Sequence, residues 1–280
     1  MPLTLYLAAS LAVLQLASPP PTAERFERNG APYVFFVVDV ETGGTIRADN
    51  EIAARDSAYA PGEPIRVLLA LAGLEEGTLG PERAFDCDST CWAAGRHGRV
   101  ALLESLALGC DTYFREARAV VSGAAIAAHA DRAGFGGSHP GAAAIDRAHD
   151  FPGPGWSVTA RQWTGFWRRL TKGHMGERFD TPITLLAAAG IAVSSPRGMA
   201  QSLADPRRHV RALAGQGPDG SWATGLIEVW GDREWAFALF LPGGTAPLAA
   251  QRADHLLQET LRVFRKSTFE RGGEPVREGP

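Results

Sequence analysis

Strand-type segments lie at both ends of this chain, and helical patterns fill the middle. Apolar, β-branched and aromatic residues predict a hairpin at 33–50 with its turn at 41–44, and strands at 221–230 and 233–243 joined by a tight turn at Gly231 and Asp232. Because strands and helices are segregated along the chain rather than alternating, the pattern predicts an α+β fold with an antiparallel sheet.

Apolar residues at helical spacing predict helices in the middle and at the C-terminal end of the chain. Thr159 and Thr181 are the predicted N-caps of two of them, and Trp163 and Trp167 are predicted to be core or groove-lining residues. Gly, Asp, Ser, Cys and His at 80–99, and Gly and Pro at 134–155, predict irregular loops. The predicted helices cover 64–74, 101–122, 123–135, 159–173, 181–195 and 248–267.

The composition excludes some functions and bounds the size of the core. With 280 residues, 45% of them hydrophobic, the chain can bury a large core in one domain or two small ones. The net charge is -3 and the Lys and Arg residues are scattered, so we expect no nucleic-acid partner. After the N-terminal leader, no segment approaches the roughly 18 apolar residues of a membrane helix.

The N-terminus has the pattern of a secretory signal. An apolar run at 3–17 precedes SPPPTA, which has small residues suited to cleavage, although Lys or Arg is absent before the run. We therefore expect export to the periplasm or outside the cell. The predicted organisation is a signal and Pro-rich leader at 1–23, one folded domain at 24–268 and a disordered tail at 269–280.

Three cysteines are a further constraint, since an odd number leaves one thiol without a partner in the same chain. Cys87 and Cys91 are the predicted disulfide pair because they are close in sequence, and Cys110 is the alternative partner. A zinc site formed by Cys87, Cys91 and His97 lacks a fourth ligand and a familiar spacing. The prediction is therefore that the chain holds no metal and no cofactor.

The stretch YAPGEPIRVLLALAGLEEG, at 59–77, places Glu63 and Arg66 three positions apart at the start of an apolar helix. Side chains at this spacing share a helix face, and an acidic residue in the first turn favours the helix dipole. The pair adds roughly 0.2 to 0.5 kcal/mol to helix stability. A stabilised helix start on the protein surface is the interpretation that the residues alone favour.

Six phrases, in order, resemble the penicillin-binding transpeptidase family, which includes class D β-lactamases. The resemblance extends from about Val34 to Phe264 and implies an antiparallel sheet flanked by N- and C-terminal helices, with an all-helical subdomain. It also implies serine acyl transfer to peptides or β-lactams. The phrases are VVDVETGGTIRA, PGEPIRVLLALAGLEEGTL, ALLESLALGCDTYF, RAGFGG, FDTPITLLAAAGIAV and RGMAQSLADPRRHVRALAGQGPDGSW.

The chain departs from this family at each catalytic motif. By the resemblance, Glu63 stands at the nucleophilic serine and Arg66 at the lysine base. A guanidinium stays protonated in proteins and cannot act as that base. The other substituted positions are Gly109 and Asp111 in the second motif, and Gln216, Gly217 and Pro218 in the third.

The replaced motifs predict a protein that is catalytically inactive and acts as a binding or scaffolding module in the cell wall. Glu63, Asp111 and Gln216 form the candidate cleft, and a peptidoglycan stem peptide or another envelope protein is the expected partner. Ser57, Ser105 and Cys110 are nearest to the motifs, but no base is identified for them. The alternatives are an acyl-transfer or hydrolytic enzyme that uses the substituted residues, and a metal-binding envelope protein.

Overall fold

A computed structural model describes residues 33–87, 91, 97–148, 151–176, 178, 180–229 and 233–270, the last three by their backbone. The predicted signal, its leader and any N-terminal helix lie outside the described residues. The Gly231–Asp232 turn and residues 271–280 of the predicted tail lie outside them too.

The central sheet confirms the predicted antiparallel sheet, and it joins the hairpin at 34–49 to strands from the last third of the chain. It has five antiparallel strands in the order β2-β1-β7-β6-β5. The N-terminal strand β1 lies between β2 and β7, and Phe36 pairs with Ala238. The strands are β1 (Val34–Asp39), β2 (Thr45–Asp49), β5 (Val210–Gly217), β6 (Gly220–Glu228) and β7 (Glu234–Pro242).

Two helices cover opposite faces of this sheet. On β6, Thr224 accepts a hydrogen bond from Trp167 Nε1 of α7 (Ala160–Thr171) at 2.8 Å. On β7, Trp235 stacks edge-on with Phe264 of α9 (Ala246–Glu270). Since Trp235 pairs with Ile227, which points to the opposite face from Thr224, α7 and α9 sandwich the sheet. The result is an α+β architecture, as predicted.

Most of the remaining helices form the helical part of the fold, with α2 (Arg66–Glu75) at its centre, whereas the short helix at 51–56 packs against β1, β2 and α7. Every residue of α2 from Arg66 to Leu74 is buried, which explains why this segment is apolar on all sides. Gly77, with a φ of 69°, follows its end. The other helices are α1 (Glu51–Asp56), α3 (Leu102–Leu108), α4 (Asp111–Arg118), α5 (Gly123–Ala130), α6 (Ala142–Arg147) and α8 (Asp180–Ser194).

Four local predictions were wrong. The helix predicted over 101–122 is two helices, α3 and α4, because Gly109 ends α3 with a φ of 65°. The loop predicted at 80–99 contains a second hairpin, β3 (Ala84–Cys87) and β4 (Gly98–Ala101), and the loop at 134–155 contains α6. These elements have only four to six residues, too few to show a clear periodicity. Thr181 lies inside α8 rather than capping it, whereas Thr159 caps α7 through a capping box with Gln162.

None of the helices in the described part of the chain is both long enough and apolar enough to cross a membrane.

Candidate functional site

The turn before α2 places Glu63 and Arg66 against strand β5. Gly62 has φ 61° and ψ -160°, a conformation open essentially to glycine alone, and one turn of 3-10 helix, Glu63–Ile65, follows. A Cβ atom on Gly62 would lie 2.6 Å from the carbonyl oxygen of Gln216. The helix start and the end of β5 are therefore in direct backbone contact.

Glu63 occupies the gap between these two elements. Its Oε2 atom accepts a hydrogen bond from the backbone N–H of Gln216 at 3.0 Å. Its Oε1 atom lies 3.8 Å from Nη1 of Arg66, and both side chains are 9% exposed. The expectation of a surface pair was therefore wrong, because β5 and α4 enclose this end of α2.

Arg66 binds both residues that the resemblance assigns to the second motif. Nη1 donates to the Gly109 carbonyl oxygen at 3.1 Å, and Nη2 forms an ion pair with Asp111. Gly109 has a φ of 65° and ends α3, so its carbonyl is presented to Arg66, and Asp111 begins α4. A network of two acidic side chains and one arginine therefore occupies the positions that the resemblance assigns to nucleophile, base and second motif.

A cavity of about 860 Å³ opens beside this network. It includes Glu63, Arg66, Asp111, Gln216 and Gly217 among its lining residues, so the structure brings these five sequence-predicted positions together. Gly109 meets them through its carbonyl alone. The described lining residues are 60–63, 66, 111, 115, 151–156 and 216–218.

One wall of the cavity was missed by sequence reasoning. Residues 151–156, with the sequence FPGPGW, were predicted only as loop, yet they line the cavity together with Arg115 of α4. Phe151 and Trp156 pack edge-to-face with ring centroids 5.4 Å apart, and Trp156 is 6% exposed. Two aromatic residues in a loop rich in Gly and Pro were the sequence feature that could have indicated a ligand-binding surface here.

The candidate replacement nucleophiles do not line this cavity. Ser105 is fully buried, and its hydroxyl donates to the Ala101 carbonyl at 2.7 Å. Cys110 is also fully buried, with its sulfur 3.5 Å from the sulfur of Cys91. Among the described lining residues there is no Ser, Thr, Cys, Lys or His.

The cysteines form a separate cluster behind the cleft. The predicted Cys87–Cys91 disulfide is absent, and the two sulfurs are 3.3 Å apart. Cys110, brought in by the start of α4, makes this a cluster of three thiols, which the sequence spacing did not reveal. His97 joins them, and all four potential ligand atoms lie within 4.8 Å of one another. The expectation of no metal site rested on a missing fourth ligand, and Cys110 stands in that position.

Comparisons with known proteins show the fold. No family model and no curated protein matches the chain. Solved structures do match, and three of them have a TM-score of 0.65. The BPu1 β-lactamase is 13% identical over 82% of this chain and 92% of its own, and the D,D-transpeptidase domain of a peptidoglycan glycosyltransferase from Eggerthella lenta is 14% identical over 84% of this chain and 79% of its own. A class D β-lactamase from Fusobacterium nucleatum subsp. polymorphum is 15% identical over 84% of this chain and 91% of its own. At this identity the likeness establishes architecture and not activity. The chain therefore has the fold shared by β-lactamases and D,D-transpeptidases.

Proposed function

We propose that this protein is a non-catalytic form of the fold, which binds a peptide ligand in the cleft without acylation and acts as a binding or scaffolding module at the cell envelope. The observation that carries the proposal is the lining of the cavity. Its described residues offer no hydroxyl, thiol, amine or imidazole for covalent catalysis, and charged residues replace the nucleophile and its base.

The charges of the network argue against a rescued mechanism. The Arg66 guanidinium cannot accept a proton, and it is held by Asp111, Glu63 and the Gly109 carbonyl. Glu63 in turn accepts the Gln216 N–H, which orients one of its oxygens toward β5. An acyl-enzyme formed on Glu63 would be an anhydride, and it would first have to break these contacts.

The cleft nevertheless retains room for a ligand. Its volume falls within the roughly 300 to 1,000 Å³ that is usual for small-molecule sites. The aromatic loop at 151–156 offers apolar surface and backbone polar groups, and Arg115 presents an exposed guanidinium at the cavity lining. This combination suits a short peptide with a free carboxylate. A peptidoglycan stem peptide has that chemistry, and the similar structures named for D,D-transpeptidase and β-lactamase activity favour it.

Covalent labelling tests the absence of catalysis. The full-length protein is incubated with a fluorescent penicillin beside an active penicillin-binding protein, and both are examined by denaturing electrophoresis. We expect a labelled band for the active protein alone. A labelled band that disappears in Glu63→Gln, or nitrocefin turnover lost in that variant, would instead establish the enzyme alternative.

Calorimetric titration with a synthetic stem pentapeptide ending in D-Ala-D-Ala tests the binding. We expect a measurable Kd for the wild type and about tenfold weaker binding for Arg115→Ala, because a charge-assisted contact to the carboxylate is lost. Arg262→Ala removes an exposed arginine from α9, outside the cavity lining, and serves as the matched control. If millimolar pentapeptide gave no heat of binding with the wild-type protein, the binding role would be refuted.

A further inference from the structure

Four metal-ligating side chains converge on a site that the cleft chemistry does not use. Cys87 ends strand β3, His97 immediately precedes β4, Cys91 lies between them in sequence, and Cys110 directly precedes α4. The sulfur of Cys91 is 3.3 Å from that of Cys87 and 3.5 Å from that of Cys110. All three cysteines are buried.

His97 provides an independent sign that a ligand belongs here. Both of its ring nitrogens are buried, and neither has a hydrogen-bond partner among the described residues. Two buried ring nitrogens without a hydrogen-bond partner are unfavourable, so this side chain favours a bound ligand.

The cysteine environment fits the same interpretation. Cys110 is fully buried, and its sulfur lies 3.5 Å from that of Cys91. A bound Zn²⁺ ion suits such a group of thiols, because a coordinating thiol is deprotonated outright.

We propose that Cys87, Cys91, His97 and Cys110 bind one Zn²⁺ ion as a Cys₃His site. Zn–S bonds of about 2.3 Å in a tetrahedron place the sulfurs about 3.8 Å apart, so the observed spacings need to open by only a few tenths of an ångström. Binding releases three thiol protons, and the site with its metal carries one net negative charge.

The position of the site assigns it a structural role. Four protein ligands leave no open coordination position, as in structural zinc sites. The ion would fasten the β3–β4 hairpin to the start of α4. Cys110 lies between Gly109 and Asp111 in the sequence. Arg66 donates a hydrogen bond to the Gly109 carbonyl oxygen and forms an ion pair with the Asp111 carboxylate. The zinc site would thus hold one wall of the cleft in place.

Metal analysis of the full-length protein tests the proposal directly. The protein is purified without chelator and its metals are measured by mass spectrometry; we expect about one zinc per chain. The metal-free, reduced protein is then titrated with Co²⁺. Tetrahedral thiolate coordination gives intense visible bands and sulfur-to-metal charge transfer. A protein that holds no zinc, contains a disulfide among these cysteines and binds no Co²⁺ after reduction would overturn the proposal.

Variants test the ligand set. Cys110→Ser should abolish the charge-transfer bands or weaken them strongly, and His97→Ala should lower zinc affinity at least about tenfold in competition with a chelating dye. His255→Ala removes an exposed histidine from α9 and should leave affinity unchanged. If Cys110→Ser does not fold, the zinc affinity of His97→Ala and the Co²⁺ spectrum of the wild-type protein still test whether these residues bind the metal. Unchanged zinc binding in His97→Ala would exclude this set of ligands.

Stability measurements test the structural role and are independent of the cleft ligand. Removal of zinc by a chelator under reducing conditions should lower Tm, and stoichiometric zinc should restore it. Penicillin labelling does not enter this experiment, so its outcome and that of the proposed function are separable. An unchanged Tm after complete zinc removal would contradict the structural role.

Discussion

At the scale of residues, four positions that the resemblance assigns to catalytic motifs form a bonded group. Arg66 contacts Glu63, Asp111 and the Gly109 carbonyl, three positions that the sequence resemblance assigned to two separate motifs. The resemblance picks out these positions in the sequence. It does not predict their mutual contacts, because Asp111 lies 45 positions after Arg66 and also has a local arginine, Arg115, at helical spacing.

The Arg66–Asp111 pair should therefore contribute to stability. Asp111→Ala leaves a guanidinium that is 9% exposed without this carboxylate, and we expect a loss of about 2 kcal/mol in the free energy of unfolding, measured in urea. The matched control is Asp86→Ala, which removes an ion pair to Arg99 whose side chains are 80% and 70% exposed. Asp86→Ala should change the free energy of unfolding by no more than about 0.5 kcal/mol. Equal losses in the two variants would contradict the argument.

At the scale of elements, the longer helices and most strands were predictable because they have many periodic residues. The α7 helix was predicted with Thr159 as its N-cap, and the structure confirms this and adds a capping box with Gln162. The β3–β4 hairpin and α6 were missed because each is too short to show a period. The contact between the start of α2 and the end of β5 is likewise a tertiary feature.

Gly62 makes that contact possible, so its substitution should be costly. Gly62→Ala forces a side chain into a positive φ and against the Gln216 carbonyl, and we expect a loss of at least about 2 kcal/mol in the free energy of unfolding. Gly80→Ala is the control, because a Cβ there meets nothing within 4 Å and its φ is not positive. We expect that variant to be neutral or slightly more stable. A tolerated Gly62→Ala would show that the two elements are not in close contact in solution.

At the scale of the whole molecule, a buried arginine ties the N-terminal hairpin to the C-terminal helix. Arg47 on β2 is fully buried and binds Asp49 through two hydrogen bonds of 2.9 and 2.7 Å. It also donates to the Leu256 carbonyl and to the Thr260 hydroxyl of α9, each at 3.0 Å. This network spans more than 200 residues of sequence, and the sequence pattern gave no sign of it.

Breaking that network should be more damaging than removing it. Arg47→Met leaves Asp49 buried without its cation, and we expect about 3 to 5 kcal/mol of destabilisation in urea unfolding. The double variant Arg47→Met with Asp49→Leu should recover most of the loss. Arg55→Met, which removes a surface pair with Glu51 on α1, should change stability by less than about 0.5 kcal/mol. A double variant as unstable as the single one would refute this account.

The sequence by itself determined the α+β class and the order of the main elements, because periodicity and residue type are local properties. Only the tertiary structure decided that Glu63 binds β5, that Arg66 pairs with Asp111 and that Cys110 completes a four-ligand cluster. These contacts join residues that are distant in sequence. Their geometry depends on how α2, α4 and β5 pack, and no local pattern encodes that packing.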